Sequence, residues 1–197
     1  MEENNKRYIE SKEVRWTYKH EYLVHCPKCL HEALVIGRFT NRSKLICSSC
    51  KFTEDAKELV RYNAIVKRNC DNCGKSIDIT IPNNKEKVEE LTIPCQHCGI
   101  VRTYKPRNDD YRLFYKNSLE GDPVFNLPLW FQCEIRGNLF WAYNREHLLE
   151  IKNYVASKLR ERQNMTHTTM VERLPNFIKD AKNRDTILKA IDKLLKK

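Results

Sequence analysis

Apolar and polar positions change period several times along the chain, and each change marks an element. Tyr22-Leu23-Val24, Ala33-Leu34-Val35-Ile36 and Lys44-Leu45-Ile46 are apolar runs of strand length. Ile77-Asp78-Ile79-Thr80-Ile81 alternates strictly, the pattern of a half-buried strand. Glu54 to Arg61 reads first as a polar connection, with a pair of helical turns around Ala56, Leu59 and Val60, or the start of a strand continuing through Ala64-Ile65-Val66, as the alternatives. Further on, Leu127-Pro128-Leu129-Trp130-Phe131-Gln132-Cys133 and Asn138-Leu139-Phe140-Trp141-Ala142-Tyr143 flank Arg136-Gly137, which predicts an aromatic-rich hairpin. Behind Asn144, a good helix cap, Leu148, Ile151, Val155 and Leu159 recur at three- and four-residue intervals. Lys152, Lys158, Arg160 and Arg162 fall mostly off that stripe, so a long amphipathic helix is expected. Leu174-Pro175-Asn176-Phe177-Ile178 predicts a short helix. Asn183 or Asp185 opens a last one, with Ile187, Leu188, Ile191, Leu194 and Leu195 on one side and Lys196-Lys197 at its negative end.

Nine cysteines change the picture, because eight of them form four identical pairs: Cys26/Cys29, Cys47/Cys50, Cys70/Cys73 and Cys95/Cys98. The N-terminal MEENNKRYIE has no hydrophobic stretch after its basic residues, so no secretory signal is expected. The expected location is intracellular: cytoplasmic, or nuclear in a eukaryotic host. In a reducing compartment such pairs read as metal ligands rather than disulfides. Two thiolates separated by two residues reach one metal from a single tight turn, and two such turns complete a tetrahedron. Zinc is the expected ion. Iron also accepts four sulfurs, which leaves a rubredoxin-like centre or an iron–sulfur cluster open at this stage.

The pairs belong to an internal repeat. Val24-His25-Cys26-Pro27-Lys28-Cys29 matches Arg68-Asn69-Cys70-Asp71-Asn72-Cys73, and Ile46-Cys47 matches Pro94-Cys95. Cys26 to Cys47 spans 21 positions and Cys70 to Cys95 spans 25, so the second unit carries four more residues, placed in Pro82-Asn83-Asn84-Lys85-Glu86-Lys87. Gly74 and Gly99 follow the second cysteine of their turns, where the first unit has Leu30 and Lys51. The first unit must therefore turn without glycine.

These four turns resemble paired zinc ribbons, a broad class found in transcription, replication and translation proteins. The resemblance covers a little under half of the chain and implies metal and fold more than function. The expected fold is a small metal-stabilised α+β chain, with two zinc ribbons followed by an aromatic β-hairpin and an α-helical C-terminal part. The expected divisions are 1–13 as a flexible N-terminus, 14–60 as ribbon 1, 61–105 as ribbon 2 and 106–197 as an α+β domain. Within the last, Arg107 to Arg112 reads as a polar bridge and Gly121-Asp122-Pro123 as a turn. Modules of this size bury too little apolar surface to fold unaided, so the two zinc ions should hold them together.

The six histidines are His20, His25, His31, His97, His147 and His167. With both quartets already complete, they are expected beside the metals or at the surface, not as ligands. Cys133, amid Trp130, Phe131 and Ile135, reads as a small buried hydrophobe. An enzyme would need Cys133 as a nucleophile or an assembly of distant residues, and the sequence displays no base or oxyanion pocket beside it. Trp130, Phe131, Phe140, Trp141 and Tyr143 suit a core, with an exposed stacking platform as the alternative. Trp16, Tyr18 and Tyr22 are expected to cover the first ribbon.

Charge points to a partner. The formal net charge is +10 with neutral thiols, and two four-thiolate zinc sites lower it to about +6. Arg38, Arg42 and Lys44 cluster in the first unit, while Lys67, Arg68, Arg102, Lys105, Arg107 and Arg112 surround the second. Aligned on one face, they would neutralise a phosphate backbone. No phosphate-cradling loop or dinucleotide signature is present, and no apolar run spans a bilayer. The expected function is thus a noncatalytic, zinc-dependent nucleic-acid-binding (DNA or RNA) or adaptor protein. The alternative is a protein–protein interaction subunit of a larger assembly, using the aromatic and helical C-terminal part.

Overall fold

The computed structural model describes residues 20–37, 42–157 and 173–197 in full, together with the backbone of residues 7–9 and 159–161. Trp16, Tyr18, Arg38 and His167 lie outside the described residues. The strands are β1 (Arg7–Ile9), β2 (Glu21–His25), β3 (Glu32–Ile36), β4 (Lys44–Ile46), β5 (Thr53–Asp55), β6 (Val60–Asn69), β7 (Ser76–Asn84), β8 (Leu91–Pro94), β9 (Val101–Tyr104), β10 (Arg107–Arg112), β11 (Phe131–Ile135), β12 (Asn138–Ala142) and β13 (Leu159–Glu161). The helices are α1 (Arg145–Ala156), α2 (Asn176–Lys179) and α3 (Arg184–Leu194). The chain is α+β, with its cysteine clusters ahead of a helical C-terminal region.

Two compact units emerge. One comprises Met1–Asp55 with Tyr115–Lys197, and the other, Ala56–Phe114, interrupts it. The expected boundary at 105/106 thus gives way to a different grouping. Arg107 to Arg112 is not a bridge: as β10 it pairs antiparallel along β6, in a sheet of order β10-β6-β7. Leu113 N–H donates to the Leu59 carbonyl at 2.9 Å, so the interrupting unit enters and leaves at neighbouring points of its own backbone. The stretch from Glu54 to Arg61 is not the expected polar connection: it runs from the end of β5 through a 3-10 helix at Ala56–Leu59 into the long β6.

In the first unit β2 to β5 form a sheet in sequence order. The alternation of β2 buries Tyr22 and Val24, and that of β3 buries Ala33 and Val35. The outer edge of β2 is covered by the C-terminal segment. Leu23 N–H donates to the Tyr143 carbonyl and Trp130 N–H to the Leu23 carbonyl, both at 2.8 Å, and His25 N–H donates to the Pro128 carbonyl at 2.9 Å. An edge strand left bare would present unpaired backbone groups, and this pairing removes that liability. Leu23 itself packs on the C-terminal core, where Phe131 and Phe140 from the β11–β12 hairpin meet Leu148, Ile151, Ile187 and Ile191 from α1 and α3.

The helix expected through Leu159 stops earlier. Asn144 caps it as expected, its Oδ1 accepting from His147 N–H at 2.9 Å. Ser157 then turns extended, and Leu159 lies in β13, parallel to β1. The four positions of one hydrophobic stripe thus span a helix and the strand after it. Asn183 precedes α3 but makes no side-chain cap; its Oδ1 instead accepts from the Arg136 guanidinium at 2.8 Å. That bond ties the hairpin turn, where Arg136 and Gly137 both have positive φ, to the start of the last helix.

Candidate metal centres and basic cavity

Each quartet is assembled from its own unit. All four turns share one backbone scheme: the first cysteine's N–H donates to a carbonyl five residues on, from Cys26 to His31, Cys47 to Phe52, Cys70 to Lys75 and Cys95 to Ile100, at 2.7–2.9 Å. The residue after each second cysteine is left-handed in every case, Leu30 (φ 63°) and Lys51 (φ 62°) as well as Gly74 (φ 70°) and Gly99 (φ 75°). The first unit therefore uses the same turn as the second, and its two non-glycine residues carry the strain of about 1 kcal/mol each that a Cβ imposes there.

The turns bring the sulfurs together. Cys26–Cys50, Cys29–Cys47, Cys70–Cys98 and Cys73–Cys95 have Sγ–Sγ separations of 3.7, 3.6, 3.8 and 3.7 Å. All four sulfurs of each quartet lie within 4.8 Å of one another. A tetrahedron with metal–sulfur bonds near ~2.3 Å has an edge of about 3.8 Å. Both quartets therefore have the size of a single-ion site. Sulfurs this close leave no room for a multi-iron cluster between them. Burial runs in the same order in both sites, from buried Cys26 and Cys70 to exposed Cys50 and Cys98. His25 and His31 use Nδ1 on the Leu30 and Cys29 carbonyls, each at 3.0 Å, and His97 is exposed, so these three brace the turns or face solvent as expected.

Without an ion the sulfurs divide their protons unequally. The backbone N–H of Cys50 and the neighbouring thiols pull Cys47 down to about 6, and the N–H of Ile100 with the Asn72 amide does the same for Cys98. Cys70 is lowered by the N–H groups of Cys73 and Asn72. At Cys29 the His31 N–H acts downward, but burial and the three nearby sulfurs outweigh it and push the thiol up to about 12. At Cys73 the Lys75 N–H is outweighed likewise, and the thiol is pushed up to about 11. At neutral pH the raised thiols hold protons that a metal must displace. Metal affinity should therefore fall about tenfold per pH unit for each proton released, and more steeply below about pH 6, where Cys47 and Cys98 also protonate. Competition titrations with a chromophoric chelator between pH 5.5 and 8 would measure this. An affinity independent of pH would contradict the ligand assignment.

The basic residues separate into groups. Lys67, Arg68, Lys105 and Arg107 line one cavity of about 240 Å³ in the interrupting unit, with Ile65, Val66 and Tyr104 as its apolar and aromatic lining. Arg102 is exposed on β9 and Arg112 half-buried at the end of β10, and neither lines the cavity. Arg42 and Lys44 are exposed in the other unit. Three of the four lining cations have nearby carboxylates: Lys67–Asp78 at 3.1 Å, Arg68–Asp71 at 2.7 Å and Arg107–Asp109 at 2.8 Å. These pairs are solvent-exposed and worth at most about 1 kcal/mol each, so a phosphate can displace them. Tyr104, Val66 and Ile65 were missed by a reading that followed charge. The alternation Arg102-Thr103-Tyr104-Lys105 was the available signal.

Cys133 is half-buried against the C-terminal core, and burial pushes its thiol up, Lys197 and Lys193 acting the other way. The hairpin aromatics divide: Phe131, Phe140 and Tyr143 are buried, whereas Trp130 and Trp141 are half-buried. Lys197 Nζ sits 4.8 Å from the Trp130 ring centre, and His25 packs on the same ring at 4.6 Å. Among the described residues no helix is long and apolar enough to cross a membrane. Compared with known proteins, the chain matches no family model, no curated protein and no solved structure.

Proposed function

We propose that the protein is a noncatalytic nucleic-acid-binding module organised by two structural zinc ions. Zinc is favoured because four-thiolate, single-ion sites of this size most often hold it, and four sulfurs leave no position open for substrate. Elemental analysis of freshly purified protein should return two zinc per chain. The nucleic-acid reading rests on one observation: Lys67 and Arg68 of β6 converge with Lys105 and Arg107 on a single cavity. Cations gathered around a concavity offer phosphates several contacts at once.

Fluorescence anisotropy with labelled DNA and RNA across a salt series tests this. Three to four phosphate contacts correspond to a loss of about 20- to 150-fold in affinity between 50 and 200 mM salt. Lys67→Ala with Lys105→Ala should reduce the logarithmic salt slope by about two units. Binding that ignores salt, or no binding to either polymer, would count against the proposal. A second reading, a protein-docking subunit, draws on a mainly apolar groove of about 110 Å³ lined by Leu139, Trp141, His147, Arg173, Leu174, Pro175 and Ile178. Loss of nucleic-acid binding in the Lys67/Lys105 variant with the groove untouched would separate the two.

A further inference from the structure

The cavity of the interrupting unit has a shape as well as a charge. Arg68 lies over the Tyr104 ring, its guanidinium carbon 5.1 Å from the ring centre. Arg68 Nη2 donates to Asp71 Oδ1 at 2.7 Å. Tyr104 thus lies under the guanidinium while Asp71 holds one of its nitrogens, and half of the Arg68 side chain remains exposed. Tyr104 is itself buried, in a small core with Val66, Cys70, Ile77, Ile93 and Cys95, so the support is rigid. The result is a flat, charged plane set among Lys67, Lys105 and Arg107.

A duplex turns its phosphates outward and keeps its bases stacked inside, so it can meet only the rim of a recess of about 240 Å³. A single strand can turn one base out and lay it on a guanidinium plane while its flanking phosphates reach lysines and arginines. We propose that this cavity is a single-strand site: an unpaired base stacks on Arg68, and the adjoining phosphates contact Lys67, Lys105 and Arg107. This rests on the nucleic-acid reading above and narrows it to one class of polymer.

The test uses the metal-loaded full chain with a labelled twelve-nucleotide oligothymidine and a twelve-base-pair duplex at one salt concentration. The single strand should bind about tenfold more tightly than the duplex, the scale of one stacked base. Arg68→Lys keeps the charge but removes the plane. It should cost the single strand about tenfold and the duplex, which cannot stack a base there, clearly less. Lys105→Ala should weaken both ligands alike. Zinc content and far-ultraviolet circular dichroism would verify that each variant is folded. If neither polymer binds, the nucleic-acid reading itself is overturned. If the duplex binds as well as the single strand, or Arg68→Lys matches the parent on oligothymidine, only the single-strand site is overturned.

Discussion

Cys95→Ser protein should carry one metal ion instead of two, with residues 56–114 unfolded and the C-terminal helices intact. Cys95 is buried, 3.7 Å from Cys73, and its loss opens the second quartet. The buried cluster around it is small, Val66, Cys70, Ile77, Ile93, Cys95 and Tyr104, and two of those six belong to the cysteine quartet itself. Apparent zinc-binding energies of ~10–16 kcal/mol exceed the whole stability of most small domains, so losing the ion should unfold the unit outright. The other unit should respond differently if its own metal is removed. Its helices and hairpin pack a core of thirteen buried residues, none of them a cysteine. Hydrogen exchange followed by peptide mass spectrometry would show protection lost across β6 to β10 and kept in α1 and α3. Protection that persists in β6 and β7 after one metal is lost would show that apolar contacts alone sustain this unit.

Asp122→Ala should be the most damaging substitution away from the cysteines, at roughly 3–6 kcal/mol. Asp122 is buried, and its carboxylate accepts three backbone N–H groups: Val124 and Phe125 on Oδ1, both at 2.8 Å, and Leu127 on Oδ2 at 2.7 Å. Burial pushes the carboxyl up, while those donors favour its charged form. Removing it orphans three buried donors, each costing about 1–3 kcal/mol with partial relaxation. The loop it organises delivers Val124, Phe125, Leu127 and Leu129 to the interior, so the damage would spread. Asp122→Asn should cost less. Its amide oxygen can still serve Val124 and Phe125, but its NH2 then faces the Leu127 N–H. Urea unfolding of the metal-loaded variants would rank them parent, Asn, Ala. Equal midpoints for all three would show that the loop does not depend on this carboxylate. The sequence offered only a turn at Gly121-Asp122-Pro123. Reach to the backbone two, three and five residues on is set by the loop's closure, not by composition.

Much of the site was legible because its chemistry is local. Two cysteines with two residues between them need one turn, and any chain making that turn aims both sulfurs the same way. The partition into two quartets followed from the repeat, and the geometry agrees. Glycine was a weaker guide. Leu30 and Lys51 adopt the conformation that Gly74 and Gly99 adopt, since the closing hydrogen bonds and the sulfur cluster impose it. Periodicity misled where a helix stopped: Leu159 continues the stripe of α1, but Ser157 is extended and Leu159 pairs with β1.

By itself the sequence determined the eight clustered cysteines, their division into two quartets, the strands β2, β3, β4 and β7, the hairpin around Arg136-Gly137 and the apolar face of the last helix. Those are short-range properties, set by spacing, alternation and turn chemistry within about thirty residues. Only the tertiary structure decided that residues 128–130 and Tyr143 would cover the edge of β2, that Arg107–Arg112 would extend the sheet of β6, and that four cations would meet around Tyr104. Each of these joins segments tens of residues apart. A free strand edge or an exposed ring accepts many partners equally well, until packing and backbone hydrogen bonding over the rest of the chain leave one arrangement in which both are satisfied.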